Sequence, residues 1–167
     1  MVEALVREVR PEDGAQISTL HQRVFGPGRF ARTAYRVREG AGAASRYCRV
    51  YLIEGRIIAA VRFTPICIGG TDGALLLGPL AVDPAYANRG YGRGLVREAM
   101  DTARADGLKL VLLVGDEPYY ARLGFVRVPA GQIALPGPVN PQRLLAAELA
   151  QGSLTRFSGL VTVSAGA

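Results

Sequence analysis

Leu80-Ala81-Val82-Asp83-Pro84-Ala85-Tyr86-Ala87-Asn88-Arg89-Gly90-Tyr91-Gly92-Arg93-Gly94-Leu95 joins an apolar, strand-like run to a helix-forming one through three alternate glycines. The first turn of a helix offers N–H groups without internal acceptors, and the helix dipole adds partial positive charge there. Glycine lets an anion approach that backbone, and Arg89 and Arg93 bring full charges beside it. The turn therefore suits a phosphate or diphosphate. It is not G-x-G-x-x-G, because position 95 is Leu, and no Gly-Lys-Ser/Thr marks a P-loop. A dinucleotide fold would also place such a turn after its first strand, in a parallel sheet. Taken alone, the glycines fit close helix–sheet packing equally well, and both readings stay open.

Downstream, Tyr91 to Ala105 has the helical period, with Leu95, Val96, Ala99, Met100 and Ala103 on one face and Arg97 and Asp101 spaced to pair on another. Gly107 stops it, and Leu108 to Val114 is a continuous apolar run, as in a buried strand. Strand, helix, strand predicts a right-handed crossover between parallel strands. Pro118 to Leu123 reads as a short helix closed by Gly124, Phe125 to Val128 as a strand, and Ile133 to Leu135 as its extension. Pro141 to Ala150 reads as a helix begun at Asn140 and stopped at Gly152, and Leu160 to Val163 as a last strand.

Upstream, Leu5 to Arg10 alternates apolar and charged residues, as a half-buried strand does. Pro11-Glu12-Asp13 opens a helix that runs to Phe25 and stops at Gly26-Pro27-Gly28. Arg29 to Arg38 is basic, either a solvated face or part of a substrate rim, and Gly40 to Ala44 ends it. Tyr47 to Glu54 and Arg56 to Ile68 form a hairpin about Gly55; a second loop, Gly69 to Gly73, leads into the strand Ala74 to Val82. The expected fold is α/β (α+β): a mixed, mostly antiparallel sheet with helices on both faces.

The chain has 167 residues, about one domain. Its 49% apolar and 20% charged residues are those of a globular protein, not a disordered one. No window approaches a membrane span, and Met1 to Arg10 lacks a signal-peptide layout, so a cytoplasmic location without membrane partners is expected. Cys48 and Cys67 have no metal spacing, and His21 is the only histidine. That argues against a disulfide scaffold, a metal site and imidazole-based triads. The net charge is +6, and Lys109 is the only lysine among the 20 basic residues. Arginine richness reflects either a GC-rich coding bias or a taste for anionic ligands.

Arg89-x-x-Gly92-x-Gly94 after Leu80-Ala81-Val82-Asp83-Pro84, followed by Tyr119-Tyr120-Ala121-Arg122-Leu123-Gly124-Phe125, resembles the GCN5-related N-acetyltransferase (GNAT) superfamily. The first block matches its acetyl-CoA diphosphate turn, Arg/Gln-x-x-Gly-x-Gly/Ala, and the second its Tyr-x-x-x-Gly-Phe element. The resemblance spans residues 5–128, with 129–167 as an extension completing the sheet of one domain, 1–167. The tail, with Pro136-Gly137-Pro138-Val139-Asn140-Pro141 and Arg143-Leu144-Leu145, is similar to the YhbS-like branch.

The resemblance implies a V-shaped splay between the fourth and fifth strands, and Gly78-Pro79 suits it because Pro cannot donate to a ladder. It implies that Leu80, Ala81 and Val82 bond the pantetheine arm, and that Arg89, Gly90, Tyr91, Gly92, Arg93, Gly94, Leu95 and Tyr119 line the coenzyme. It implies that Tyr120 protonates the departing thiolate, and that the Val82 N–H or a neighbour polarises the thioester carbonyl. The implied activity is acetyl transfer from acetyl-CoA, without a metal, to a primary amine of a small molecule or protein by direct attack. One departure stands out: Leu75 to Leu80 carries no carboxylate, where many relatives place a Glu as general base. Asp83 leads into the turn, and Asp116 and Glu117 are expected to cap the short helix. Cys67 as an acetyl carrier would need an activating neighbour that the sequence does not supply. The missing base keeps a second reading in view, a non-catalytic acyl-CoA-binding sensor. No nucleic-acid motif is present, so nucleic acid is not expected as a partner, and a homodimer is left open.

Overall fold

The computed structural model describes residues 3–26 and 44–164; the basic segment Arg29 to Arg38 lies outside the described residues, as do Pro27, Gly28 and residues 40–43 of the stretches that flank it. In chain order the elements are β1 (Ala4–Glu8), α1 (Gly14–Phe25), β2 (Arg49–Ile53), β3 (Arg56–Ile68), β4 (Thr71–Val82), α2 (Tyr91–Ala105), β5 (Leu110–Val114), α3 (Glu117–Ala121), β6 (Val126–Arg127), β7 (Ile133–Ala134), β8 (Leu144–Glu148) and β9 (Gly159–Val163). The sheet runs β1-β2-β3-β4-β5-β8-β6, with β9 pairing the far end of β3 and also β7. Among the described strand pairs, only β4–β5 and β7–β9 are parallel.

The pleat sorts the strand residues between two layers. Leu75 and Leu77 of β4 and Val111 and Leu113 of β5 face α2, which lays Leu95, Val96, Ala99, Met100 and Ala103 on them. Leu76, Leu110 and Leu112 face the other way, under Phe157 and Val161 of the C-terminal segment. On that second face Leu20 of α1 covers Val50, Leu52, Ile57, Ala60 and Ala81. Helices thus cover both faces, as expected. Burying one Leu, Val or Met side chain is worth about 1.5–3 kcal/mol, far above a surface ion pair. The expected Arg97–Asp101 pair is replaced by Asp101–Arg104 at 3.1 Å, a minor change on that scale.

The helix expected over Pro141 to Ala150 is not formed. Pro141–Arg143 is one 3-10 turn, and Leu144–Glu148 is strand β8, antiparallel to β5 from Leu110↔Glu148 to Val114↔Leu144. Leu145 and Ala147 join the α2-side layer, Leu144 and Ala146 the opposite one. A strand buried on both faces reads as a continuous apolar run, which Leu and Ala disguise as a helix.

Two buried polar groups give opposite expectations. Thr64 is 2% exposed and its Oγ1 has no partner. Thr64→Val keeps the shape and removes the desolvated hydroxyl, so stability to urea should rise by about 1 kcal/mol; a fall would reveal a partner for the hydroxyl. Asp13, equally buried, accepts two bonds from Arg7 at 2.7 and 3.0 Å and one from the Arg10 N–H at 2.7 Å, tying the start of α1 to β1. The Arg7 bond holds the Asp13 carboxyl below its ordinary value, with the Arg10 N–H and both positive charges helping against burial. A depressed carboxyl stabilises the fold above its ordinary pKa of about 3.9, and that gain is lost as pH falls through the lower folded value. Asp13→Asn should therefore lower stability at pH 7 by about 1.5–3 kcal/mol and flatten its decline below about pH 4, read by denaturation at stepped pH.

Candidate functional site

β4 and β5 pair at only three positions, Ala74↔Leu110, Leu75↔Val111 and Leu76↔Leu112. Beyond Leu76, β4 follows β3 to Val82, while β5 continues along β8. At the point of departure, Gly78 and Pro79 together oppose Arg62, because the register moves from Phe63↔Leu77 to Val61↔Leu80. This bulge bends β4 away and opens the expected gap. The Asp83 N–H donates to the Ile58 carbonyl at 2.8 Å. Main-chain groups alternate sides along a strand, so those of Ala81 also face β3, whereas those of Leu80 and Val82 face the gap.

Asp83 is 1% exposed. Its carboxylate accepts from Arg23 at 2.8 and 3.3 Å, from Arg56 at 3.1 Å and from the Ala85 N–H at 3.0 Å. It fixes the exit of β4 and is fully engaged, so it is not a candidate base. Asn88 (φ 62°) and Gly90 (φ 86°) then turn the chain into α2, with Gly90 as the N-cap. The Gly90 carbonyl accepts the Gly94 N–H at 3.0 Å, which leaves Tyr91, Gly92 and Arg93 as the residues of α2 whose amides have no intrahelical acceptor.

The three glycines of the turn therefore differ. A Cβ on Gly92 would stand 2.7 Å from the Tyr119 Oη and 3.1 Å from a Val82 methyl, whereas one on Gly94 would meet nothing within 4 Å. Leu95 is fully buried beneath α2 and its amide is inside the helix, so neither Gly94 nor Leu95 offers a donor at the turn. The Tyr91 ring packs edge-on against Tyr51 and Tyr86, at centroid distances of 4.7 and 6.0 Å. The Arg89 guanidinium leans on the Tyr86 ring at 5.7 Å, and that of Arg93 lies over the Tyr119 ring at 5.2 Å. The Arg93 Nε is buried and has no hydrogen-bond partner.

The tyrosines of α3 point to different walls of the gap. The Tyr120 ring lies over Gly115, where a Cβ would come within 2.7 Å of it, and packs against Phe125 at 5.6 Å, beside the end of β5. Tyr119 reaches across to Gly92, Val82 and Leu80 at the β4–α2 wall. Burial pushes the Tyr119 phenol above its ordinary pKa, against the opposing pull of the Arg93 charge and hydrogen bond. The reach of Tyr119 and the seat at Gly115 were not read from the sequence. The one available signal was a glycine directly after a buried strand and before adjacent tyrosines.

Asp116 and Glu117 do not cap α3 with their side chains. Asp116 pairs with Arg143 at 3.4 Å and Glu117 with Arg127 at 2.9 Å. Cys67 donates to Asp72 at 2.9 Å near the opposite end of β3, a bond that pushes its thiol upward and away from nucleophilic use. Among the described residues, no three His, Cys, Asp or Glu side chains gather as a metal site, and no helix is long and apolar enough to cross a membrane.

A parallel β4–β5 pair that splays at a bulge, a glycine-capped helix at its mouth and a tyrosine at the end of β5 define an acetyltransferase architecture. The acetyltransferase (GNAT) domain profile matches residues 44–127, and the chain belongs to this family of acetyl-CoA-dependent N-acyltransferases. It is 29% identical over 162 residues to a protein of Escherichia coli K12 named as the uncharacterized N-acetyltransferase YhbS, covering 94% of each chain. The crystal structure of E. coli YhbS in complex with CoA matches with a TM-score of 0.84 over 98% of this chain and 91% of that one. A GNAT family acetyltransferase from Brucella melitensis in complex with acetyl-CoA is 30% identical, with a TM-score of 0.65 over 86% of this chain and 95% of that one.

Proposed function

We propose that this chain binds acetyl-CoA in the β4–β5 gap and transfers its acetyl group directly to a primary amine. The observation that carries this reading is the splay of β4 from β5 after Leu76, bordered by the gap-facing main chain of Leu80 and Val82, by the open amides of Tyr91 to Arg93 at the start of α2, and by the Tyr120 ring seated on Gly115 at the end of β5. The residues fit the coenzyme on their own chemistry, since the buried, unpaired Arg93 Nε and the open amides all call for an anion. The coenzyme complexes of YhbS and the Brucella protein support the same reading.

Acetyl-CoA supplies the activated thioester. Leu80 and Val82 hold the pantetheine arm as an added strand would be held, and Ala81 keeps β4 on β3. The Val82 N–H donates to the carbonyl oxygen as charge builds there, a kind of contact worth about 3–4 kcal/mol in other acyl-transfer sites. As the amine nitrogen bonds to the carbonyl carbon, the C–S bond breaks and the Tyr120 hydroxyl gives its proton to sulfur. The proton from the amine passes to water, because Asp83, Asp116 and Glu117 are engaged with arginines.

The test combines CoA titration calorimetry with thiol release from acetyl-CoA across amino acids, polyamines, aminoglycosides and peptide N-termini. Saturable CoA binding with amine-dependent thiol release is the expected result. Binding without release across the panel would support the sensor reading, which the missing strand carboxylate motivates. No binding would overturn both readings.

A further inference from the structure

We infer that Tyr119, which lies outside the Tyr-x-x-x-Gly-Phe block, is a positioning residue: its ring is the shelf that holds the Arg93 guanidinium over the open first turn of α2, ready for the coenzyme diphosphate. The inference rests on the acetyl-CoA reading above and extends it to a side-chain pair. An arginine at the third position of a helix has many rotamers, and an exposed one would spread over them. This one lies 5.2 Å from the centroid of a half-buried ring, which favours a single placement. The same placement buries the Arg93 Nε without a partner.

A buried donor left unpaired is destabilising, more so on a charged group, and an arriving anion recovers that loss by accepting from it. Tyr119 in turn is fixed by Gly92, whose missing Cβ leaves the space into which the phenol reaches, between Val82 and the start of α2. The order of dependence is Gly92, then Tyr119, then Arg93. The shelf is first an aromatic face, and the phenol oxygen adds the hydrogen bond it accepts from the Arg93 guanidinium. Tyr119 thus adds affinity through Arg93, while Tyr120 serves the sulfur end.

The test is calorimetric titration of CoA into the wild type and into Tyr119→Phe, Tyr119→Leu, Arg93→Met and the double variant Tyr119→Leu/Arg93→Met, each first shown to be folded by thermal denaturation. The expected dissociation constants are about two- to threefold weaker than wild type for Phe, which keeps the ring and loses the hydroxyl contact, about five- to tenfold weaker for Leu, and about tenfold weaker for Met. In the Arg93→Met background, Tyr119→Leu should add less than about twofold, because neighbours that act as one unit are not additive. A loss on Tyr119→Leu that persists in full without Arg93, or no loss at all, would overturn the inference. A Phe variant as weak as Leu would do so too. Wild-type protein that fails to bind CoA would refute the acetyl-CoA reading itself, so the two failures are distinguishable.

Discussion

Tyr120→Phe should lower turnover by about 10²-fold and leave the dissociation constant of CoA within about twofold of wild type. The reasoning starts from packing. The Tyr120 ring is held by Phe125 at 5.6 Å, by Tyr119 at 4.8 Å and by the flat seat at Gly115. Phenylalanine makes the same ring contacts, so α3 and the β5 wall of the gap stay in place. Only the hydroxyl is removed, and with it the donor assigned to the leaving sulfur. Proton transfer by a positioned side chain is typically worth 10²–10⁴-fold, and a thiolate, being a fair leaving group without help, puts this case at about the lower end. Steady-state turnover with saturating acetyl-CoA, set beside calorimetric CoA binding, separates the two effects. Unchanged turnover would remove Tyr120 from the chemistry. A parallel fall in CoA affinity would recast it as part of the gap wall.

The elements that build the gap were legible in the sequence because each has a local physical cause. The alternation and turns of residues 47–82 give the hairpins, and the helical stripe from Leu95 to Ala103 gives α2. Gly78-Pro79 marked the bulge at which β4 leaves β5, since neither residue sustains a ladder. Strand β8 was not legible: Leu144-Leu145-Ala146-Ala147 owes its form to insertion between β5 and β6, a tertiary cause that overrides helix propensity. The same limit applied to the acidic residues. Asp83 read as a loop carboxylate, yet Arg23, 60 residues earlier in the chain, and Arg56 make it a buried tie. Asp116 read as a cap, and Arg143 draws it away. Side-chain partners distant in sequence leave no local pattern, so the alignment of Tyr119, Arg93 and Gly92 needed the fold.

Gly92→Val and Gly94→Ala should have opposite outcomes, although the two glycines look equivalent in the sequence. At Gly92 the added Cβ would press on the Tyr119 Oη at 2.7 Å and a Val82 methyl at 3.1 Å, and the branches of valine extend the conflict. Tyr119 must swing away or α2 must lift from β4. Overpacking of this kind costs about 1–3 kcal/mol in stability. Either response also disorders the open amides of the turn and withdraws the ring from Arg93. CoA affinity should therefore fall by at least about thirtyfold, roughly 2 kcal/mol, the size of one or two charge-assisted hydrogen bonds. At Gly94 there is open space, and the amide is already bonded to the Gly90 carbonyl at 3.0 Å. Alanine there gains helix propensity, so stability should rise by about 0.5–1 kcal/mol with CoA affinity held within about twofold. Thermal denaturation and CoA calorimetry on the two variants test the assignment directly. If Gly94→Ala abolished binding while Gly92→Val did not, the diphosphate would contact the exposed side of the first turn and not the Tyr91–Arg93 amides, and the donor assignment would have to move one turn along α2.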